Sequence, residues 1–493
     1  MNRRILLASP LLLTHGLLCQ AAAAAAPTQI ALNGSTASVR GSGASVRGNA
    51  VTITRAGHYA LAGTLDGQLV IDTADKDDVR LVLQNATLTN ITGPALEIRQ
   101  AEQVIIELAA GSSNALSDGG MSKAALSSGA DLAIEGAGML EVRGNVADGI
   151  NTNDSLKISS GNLIVTAQGD GLSVNDKLTL AGGTLKLTAG GGSGRPLKGS
   201  RGINVGKLVE IRGGSISIDA ADDAINVDEA IVISGGTLAL STANDAIHSE
   251  KSIAISGGDV RIARSYEGIE SELITVSGGH VQVVAADDGV NIVGSGATAQ
   301  RFGFRGAGAS GGKLLVTGGT LVVDGSSDGI DSGGEVEMSG GTVLVTGSLQ
   351  RMSGALDLDG DFRITGGLLV AVGGASLAQA PGAASTQRTA RVFFPSQLPA
   401  GTPLRIATAG GRPVLGFLPR KPVQALVFSS PALKNGETYV VSTGGQFSKP
   451  GTDGIHDAAA WSGGAEAARF TVSGLVSGAG DADALGGRRG RMR

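Results

Sequence analysis

The 493-residue chain is short of several residue types that compact domains rely on: it has one cysteine, 13 prolines, one tryptophan, three tyrosines and nine phenylalanines. The lone Cys19 lies in an N-terminal segment that reads as separate from the body. Met1 to Arg4 carries two arginines, Ile5 to Leu18 is mostly apolar, and Ala21 to Ala26 supplies small residues ahead of Pro27. That pattern predicts a cleaved secretory signal over 1–26 and a secreted or periplasmic protein. Leu18 before Cys19 is a poor lipoprotein site. A mature chain without cysteine has no disulfide, no thiolate metal site and no thiol nucleophile. With aromatic residues at 3%, the core must be aliphatic, and a broad stacking platform for sugars or bases is hard to build. No second apolar run approaches about 18 residues, which argues against a transmembrane span.

Positive charge is also scarce. The formal balance of -5 becomes -7 without Arg3 and Arg4, and -11 once the tail arginines Arg488, Arg489, Arg491 and Arg493 are set aside. An acidic body disfavours a nucleic-acid partner, which needs a basic face. The low charged fraction of 17%, beside 42% hydrophobic residues, argues against disorder.

Glycine, by contrast, is abundant at 79 residues, about twice the usual share of roughly 7%. It has no G-X-Y period, so collagen is excluded. Pairs stand at Gly182-Gly183, Gly213-Gly214, Gly235-Gly236, Gly257-Gly258, Gly278-Gly279, Gly318-Gly319, Gly340-Gly341 and Gly366-Gly367, mostly 21 or 22 residues apart. Glycine-rich insertions at Gly190 to Lys198 and about Ser295 to Gly312 account for the two wide gaps. A second motif keeps the same phase: Asp148-Gly149-Ile150, Asp170-Gly171-Leu172, Asp223-Ala224-Ile225, Asp245-Ala246-Ile247, Glu267-Gly268-Ile269, Asp288-Gly289-Val290 and Asp328-Gly329-Ile330. Apolar residues alternate around each pair, as in Ile231, Ile233, Leu238 and Leu240, which means strand. A coil of about 22 residues cannot bury its own apolar stripe. Stacking coils about 4.8 Å apart does so, and predicts an all-β, three-sided parallel β-helix of right-handed sense. The expected plan is a solenoid over 27–374, an Ala, Ser and Gly linker over 375–389, a small β-rich cap over 390–445, and an extension over 446–493 with a flexible basic tail.

The repeat stacks like groups. The residue after each inward Ile faces out, giving Asn151, Asn204, Asn226, His248, Glu270, Asn291, Asp331 and Asp357. Beside it run Asp148, Asp170, Asp223, Asp245, Glu267, Asp288 and Asp328, doubled at Asp222 and Asp287. Carboxylates about 4.8 Å apart repel by roughly 1 kcal/mol in water and about 3.5 kcal/mol at an effective dielectric near 20. Three offsets are open: Arg201, which interrupts the column; turn N–H groups bonding the Asp side chains; or divalent cations. Oxygen-only donors select calcium, with candidate ligands Asp222, Asp223, Asn226, Asp245, Glu267, Asp287, Asp288, Asn291 and Asp328. Against this, Asp before Gly is an ordinary turn residue, and stacked Asn ladders stabilise coils without a ligand. A turn needs only one Asp, so the doubled pairs are the stronger cation candidates. His248, Tyr266, Glu270 and Asp331 are the candidate sugar-contacting residues, although a lone aromatic more often packs on its own surface. His248 reads more simply as a solvated strand residue than as a base.

Ser234-Gly235-Gly236, Ser265-Tyr266-Glu267-Gly268-Ile269-Glu270 and Asp287-Asp288-Gly289-Val290-Asn291 resemble the SGG, SYEGIE and DDGIN signatures of a secreted family of calcium-binding, carbohydrate-binding parallel β-helix proteins. Their fold is related to that of polysaccharide lyases. His58 to Leu65, Val79 to Thr89 and Lys434 to Tyr439 resemble it too, so the likeness spans about residues 50 to 445. It implies binding of acidic plant-type polysaccharide, with cellulose as a further ligand, and no catalytic residues to carry over. Arg201, Gly354, Ala224 and Ala246 depart from its pattern. The preferred expectation is a monomeric, non-catalytic module in which calcium bridges uronate carboxylates. The rivals are a calcium-dependent pectate-type lyase, with Lys177, Lys198, Arg201, Lys207 or Lys251 near the acidic strip as base, and an adhesin without glycan specificity.

Overall fold

The computed structural model describes residues 26–294 and 311–480. The expected signal segment up to 25, the glycine-rich stretch from 295 and the basic tail lie outside the described residues. The described chain is all-β and winds about 12 turns of parallel solenoid. One turn shows the construction. Ile225–Val227, Ala230–Ile233 and Thr237–Thr242 follow one another, and each pairs in parallel with its counterpart one turn on: Ile225 with Ile247, Ile231 with Ile253, Leu238 with Val260. The three strands define faces one, two and three. Period-two alternation sends Ile225, Ile231, Ile233, Leu238 and Leu240 into the axis, where all are fully buried. Their equivalents in every turn form one continuous aliphatic core.

The glycine pairs make the corner between faces two and three. The second glycine has a left-handed backbone, with φ of +90° at Gly236 and +88° at Gly258, a region that side chains with a Cβ enter at a cost. The corners also stack backbone on backbone: a Cβ on Gly258 would lie 2.9 Å from the Gly236 carbonyl oxygen.

Both ends of the solenoid are covered. At the start, Ala37–Arg40 pairs antiparallel with Thr28–Gly34, and Ala44–Arg47 with Ala50–Ile53. At the far end Val423–Ser429 runs antiparallel to Leu368–Gly373, the last strand of face three, and to Thr389–Leu398. An open parallel edge thus gains a partner that blocks further addition. The C-terminal unit does not stop near 445. Trp461–Thr471 pairs along Thr438–Phe447, and Val476–Ala479 pairs with Thr389–Leu398. The cap also leans on the outside of face three: Leu344 and Val370, at outward positions, are buried with Phe394, Phe417, Phe428 and Tyr439.

Candidate functional site

Strand register on face one makes the outward column continuous. Asn151 pairs with Ser173, Ser173 with Asn204, Asn204 with Asn226, Asn226 with His248, His248 with Glu270, Glu270 with Asn291, Asn291 with Asp331, and Asp331 with Asp357. Ser173 is a further rung, marked in the sequence only by its place after Leu172. In the middle of the column the side chains bond one another rather than only solvent. Asn226 Nδ2 donates to Asn204 Oδ1 at 3.0 Å, and Asn204 Nδ2 to Asp170 Oδ2 at 2.8 Å. His248 Nδ1 lies 2.8 Å from Asn226 Oδ1, and its Nε2 lies 3.4 Å from Glu270 Oε1. Asn291 Nδ2 bridges Glu267 at 2.8 Å and Glu270 at 3.0 Å. His248 is therefore half-buried in a polar ladder, not the solvated strand residue expected.

The corner between faces three and one holds the acidic column, and here the repulsion has several offsets. Each Asp of the regular turns accepts a backbone N–H from the next: Asp170 N to Asp148 Oδ1 at 2.9 Å, Arg201 N to Asp170 Oδ1 at 2.8 Å, Asp245 N to Asp223 Oδ1 at 3.2 Å, Asp328 N to Asp288 Oδ1 at 2.8 Å, and Gly354 N to Asp328 Oδ1 at 2.6 Å. Arg201 and Gly354, the two departures from the acidic pattern, thus serve the column through their N–H groups. Arg201 also reaches Asp223 with Nε at 3.2 Å. The first members of the doubled pairs are held locally. Asp222 accepts from Gly199 N of the inserted loop at 2.6 Å, and Asp287 bonds the Tyr266 phenol.

The pattern breaks at two adjacent turns. The Asp245 carboxylate receives no hydrogen bond from the described residues, while burial, then Asp223 and Glu270, push its pKa up to about 7. Glu267 is raised by burial and by sharing a proton with Glu270. Glu270 stays ionised: its hydrogen bonds to His248 and Glu267 outweigh its burial. Protonation is therefore a fourth offset, beside the three that the sequence offers. Tyr266, 49% exposed, stands beside this cluster, and its hydrogen bond to Asp287 holds its phenol up at about 12.

Three of the five basic residues placed near the strip point elsewhere. Lys177 pairs with Glu210, Lys207 with Asp176 and Lys251 with Glu229, all on face two or the turn leading into it. Nearness along the chain does not carry over into space here, because a residue four positions on is already round the corner. Trp461 donates Nε1 to the Gly444 carbonyl at 2.9 Å under the Arg405 guanidinium, so it packs on the cap. Among the described residues, no three acidic or histidine side chains converge to hold a metal ion by themselves.

The model of a family described as carbohydrate-binding domain-containing protein matches residues 47–292 and 198–360, together more than half of the chain. A carbohydrate-binding domain-containing protein of Acetivibrio thermocellus is 37% identical over 128 residues. The match is 24% of this chain and 45% of that protein, so the chain spans under half of that relative's length. The solved structure of the polysaccharide lyase-like protein from C. thermocellum, a gadolinium derivative, is 27% identical with a TM-score of 0.39. That comparison covers 55% of this chain and 98% of the other.

Proposed function

This chain belongs to the carbohydrate-binding domain-containing protein family, and from that premise we propose that it is a secreted, monomeric, non-catalytic module that binds acidic polysaccharide of the polygalacturonate type along face one. The observation that carries this reading is the polar ladder from Asn204 through Asn226, His248 and Glu270 to Asn291. Its rungs repeat at the strand spacing of about 4.8 Å, comparable to the advance of one sugar ring. A glycan laid along it meets the partly exposed Asn204, His248, Glu270 and Asn291, while the buried Asn226 holds Asn204 and His248 in place from beneath; amide, imidazole and carboxylate groups suit hydroxyl hydrogen bonding. Scarce aromatics favour this over ring stacking.

Calcium fits the strip as an open site rather than a closed cage. The donors are all oxygens, and the Asp245 carboxylate lacks a hydrogen-bond donor beside the charges of Asp223 and Glu270. Since no three acidic or histidine side chains converge, the remaining oxygens would come from glycan carboxylates and water. When bound, the ion supplies the positive charge that lets two sets of carboxylates meet.

Calorimetry with galacturonate oligomers on chelator-stripped protein tests the reading. Binding is expected to tighten strongly when calcium is returned, and replacing Asn226 and His248 together by alanine should weaken this calcium-dependent binding by about tenfold or more, one to two lost hydrogen bonds. Equal affinity with and without calcium, or an unaffected double variant, would remove the proposal. No unsaturated-product absorbance should grow during incubation with polygalacturonate, because Lys177, Lys207 and Lys251 are paired away from the strip and Arg201 is held on Asp223; its growth would restore the lyase reading, with Lys198 beside Gly199 as the base to substitute first.

A further inference from the structure

Face three carries a second outward column, in which Arg261 pairs with Gln282, Gln282 with Val322 and Val322 with Leu344. The cap covers its apolar end and stops short of Arg261. Where the cap's edge stands off the solenoid there is a cleft of about 100 Å³, with Val322, Leu344 and Leu418 among its lining together with Arg261 of the solenoid and Arg420 of the cap. The acids that line it already have partners. Asp453 accepts from Gln282 Nε2 at 2.6 Å and faces His280 Nε2 at 2.8 Å. Asp324 pairs with Lys421, which also donates to the Gly325 carbonyl at 2.8 Å. Neither Arg261 nor Arg420 has an acidic or carbonyl partner among the described residues. An acidic protein thus holds two uncommitted guanidinium groups, one on the solenoid and one on the cap, beside an apolar patch.

Planar guanidinium forks match carboxylate and sulfate oxygens, and apolar side chains beneath them suit the C–H face of a sugar ring. The geometry points to this cleft as an anion-selective subsite for a charged sugar unit, carboxylated or sulfated, separate from the face-one strip. This rests on the carbohydrate-binding reading. It adds that part of the discrimination between charged and neutral glycans needs no cation, because the positive charge belongs to the protein.

The test uses the full chain in chelator, so that any calcium-bridged binding on face one is silent. Binding of a galacturonate trimer, its methyl ester and a sulfated oligosaccharide is followed by calorimetry at low salt, for the native chain, Arg261→Gln with Arg420→Gln, and Asn226→Ala with His248→Ala. Two charge-assisted contacts predict weak binding of one or both anionic probes, reduced about ten- to a hundredfold in the arginine variant and unchanged in the face-one variant. The methyl ester should bind neither. Loss of the carboxylated probe alone assigns a uronate, and loss of the sulfated probe alone assigns a sulfate ester. Both arginines are exposed, so folding is expected to survive, and thermal unfolding of the variant checks it. No anionic binding in chelator, or binding indifferent to both arginines, overturns the inference even if calcium-dependent binding on face one stands. If face one fails while the arginine-dependent binding remains, the strip reading falls and the cleft survives.

Discussion

Gly258→Val is expected to lower the unfolding free energy by about 3 kcal/mol or more, a large part of what a domain has to spare. Two causes add. Gly258 has φ of +88°, where a β-branched side chain is a genuine outlier. Its Cβ would also lie 2.9 Å from the Gly236 carbonyl oxygen and 3.1 Å from the Gly235 carbonyl carbon. These are backbone atoms and cannot swing aside. The neighbouring turn is loaded as well, because Gly279 sits on Gly257 and Gly258 in the same way. A solenoid is stabilised largely by contacts between adjacent repeats, so a displaced corner weakens two interfaces at once. Gly401 is the control: its φ is +74°, but nothing lies within 4 Å of a Cβ there, and alanine should cost only about 1 kcal/mol. Urea unfolding of Gly258→Ala and Gly401→Ala separates the backbone strain they share from the stacking clash. Equal losses would mean that the corners are not tightly stacked.

The same corners explain why so much of the fold could be read from the sequence. A glycine pair every 21 or 22 residues reports a backbone requirement repeated at each turn, and the Asp-Gly-Ile phase reports which residues face in. Stacking then fixes register: Asn226 must lie over Asn204 because Ile225 lies over Ile203. What the sequence concealed were interactions between units of different kinds. The docking of the cap on face three shows only as lost alternation, where Val322, Leu344 and Val370 are apolar at outward positions. Trp461–Thr471 carries no period-two signal, because nearly all of its residues are at least partly exposed. The cleft joins Arg261 to Arg420, 159 positions apart, and no local pattern links them.

The acidic strip was legible as a column of like groups but not as a hydrogen-bonded one. Charge repulsion asked for an offset, and sequence could not say that most turns use the next turn's own N–H. That answer needed the register, which places the N–H of one Asp against the carboxylate of the one before. Nor could spacing show that the device lapses at Asp245 and Glu267. There the register shifts twice: the next turn gains a residue opposite Leu240 and Ser241 and loses one opposite Ser249 to Ser252, so the spacing stays at 22 from Asp245 to Glu267 and falls to 21 only from Glu267 to Asp288. Asp245 N still bonds Asp223, but no main-chain N–H is returned to the Asp245 carboxylate.

That lapse gives the protein an unusual dependence on pH. In chelator, stability should fall as pH rises from about 4 to about 8, by roughly 3–5 kcal/mol in all. Burial, reinforced by Asp170, raises Asp148 to about 6; burial, Asp288 and Asp357 raise Asp328 to about 6; burial, Asp223 and Glu270 raise Asp245 to about 7. A carboxyl whose folded value lies above its unfolded one binds its proton more tightly in the native state. Its contribution is full below the unfolded value near 3.8 and is lost as pH rises through the folded value. His248, raised through Glu270 against the effect of burial, adds a loss of the same sign above its ordinary value near 6.5. The lowered carboxyls, Glu270 and the paired Asp176, Glu210, Glu337, Glu437 and Glu466, act in the opposite sense but below about pH 4.5, outside this window. Asp245→Asn removes the proton requirement while keeping the shape. It should leave stability at pH 4 nearly unchanged and raise it at pH 8 by about 2 kcal/mol, allowing for solvent screening. Calcium added to the unsubstituted protein at pH 8 should recover part of the loss, because a cation and a proton then relieve the same repulsion, and should recover less in the variant. Thermal unfolding at fixed ionic strength reads all three. A midpoint that rises between pH 5 and pH 8 in chelator would show that the corner carboxylates are not the uncompensated charges their burial makes them.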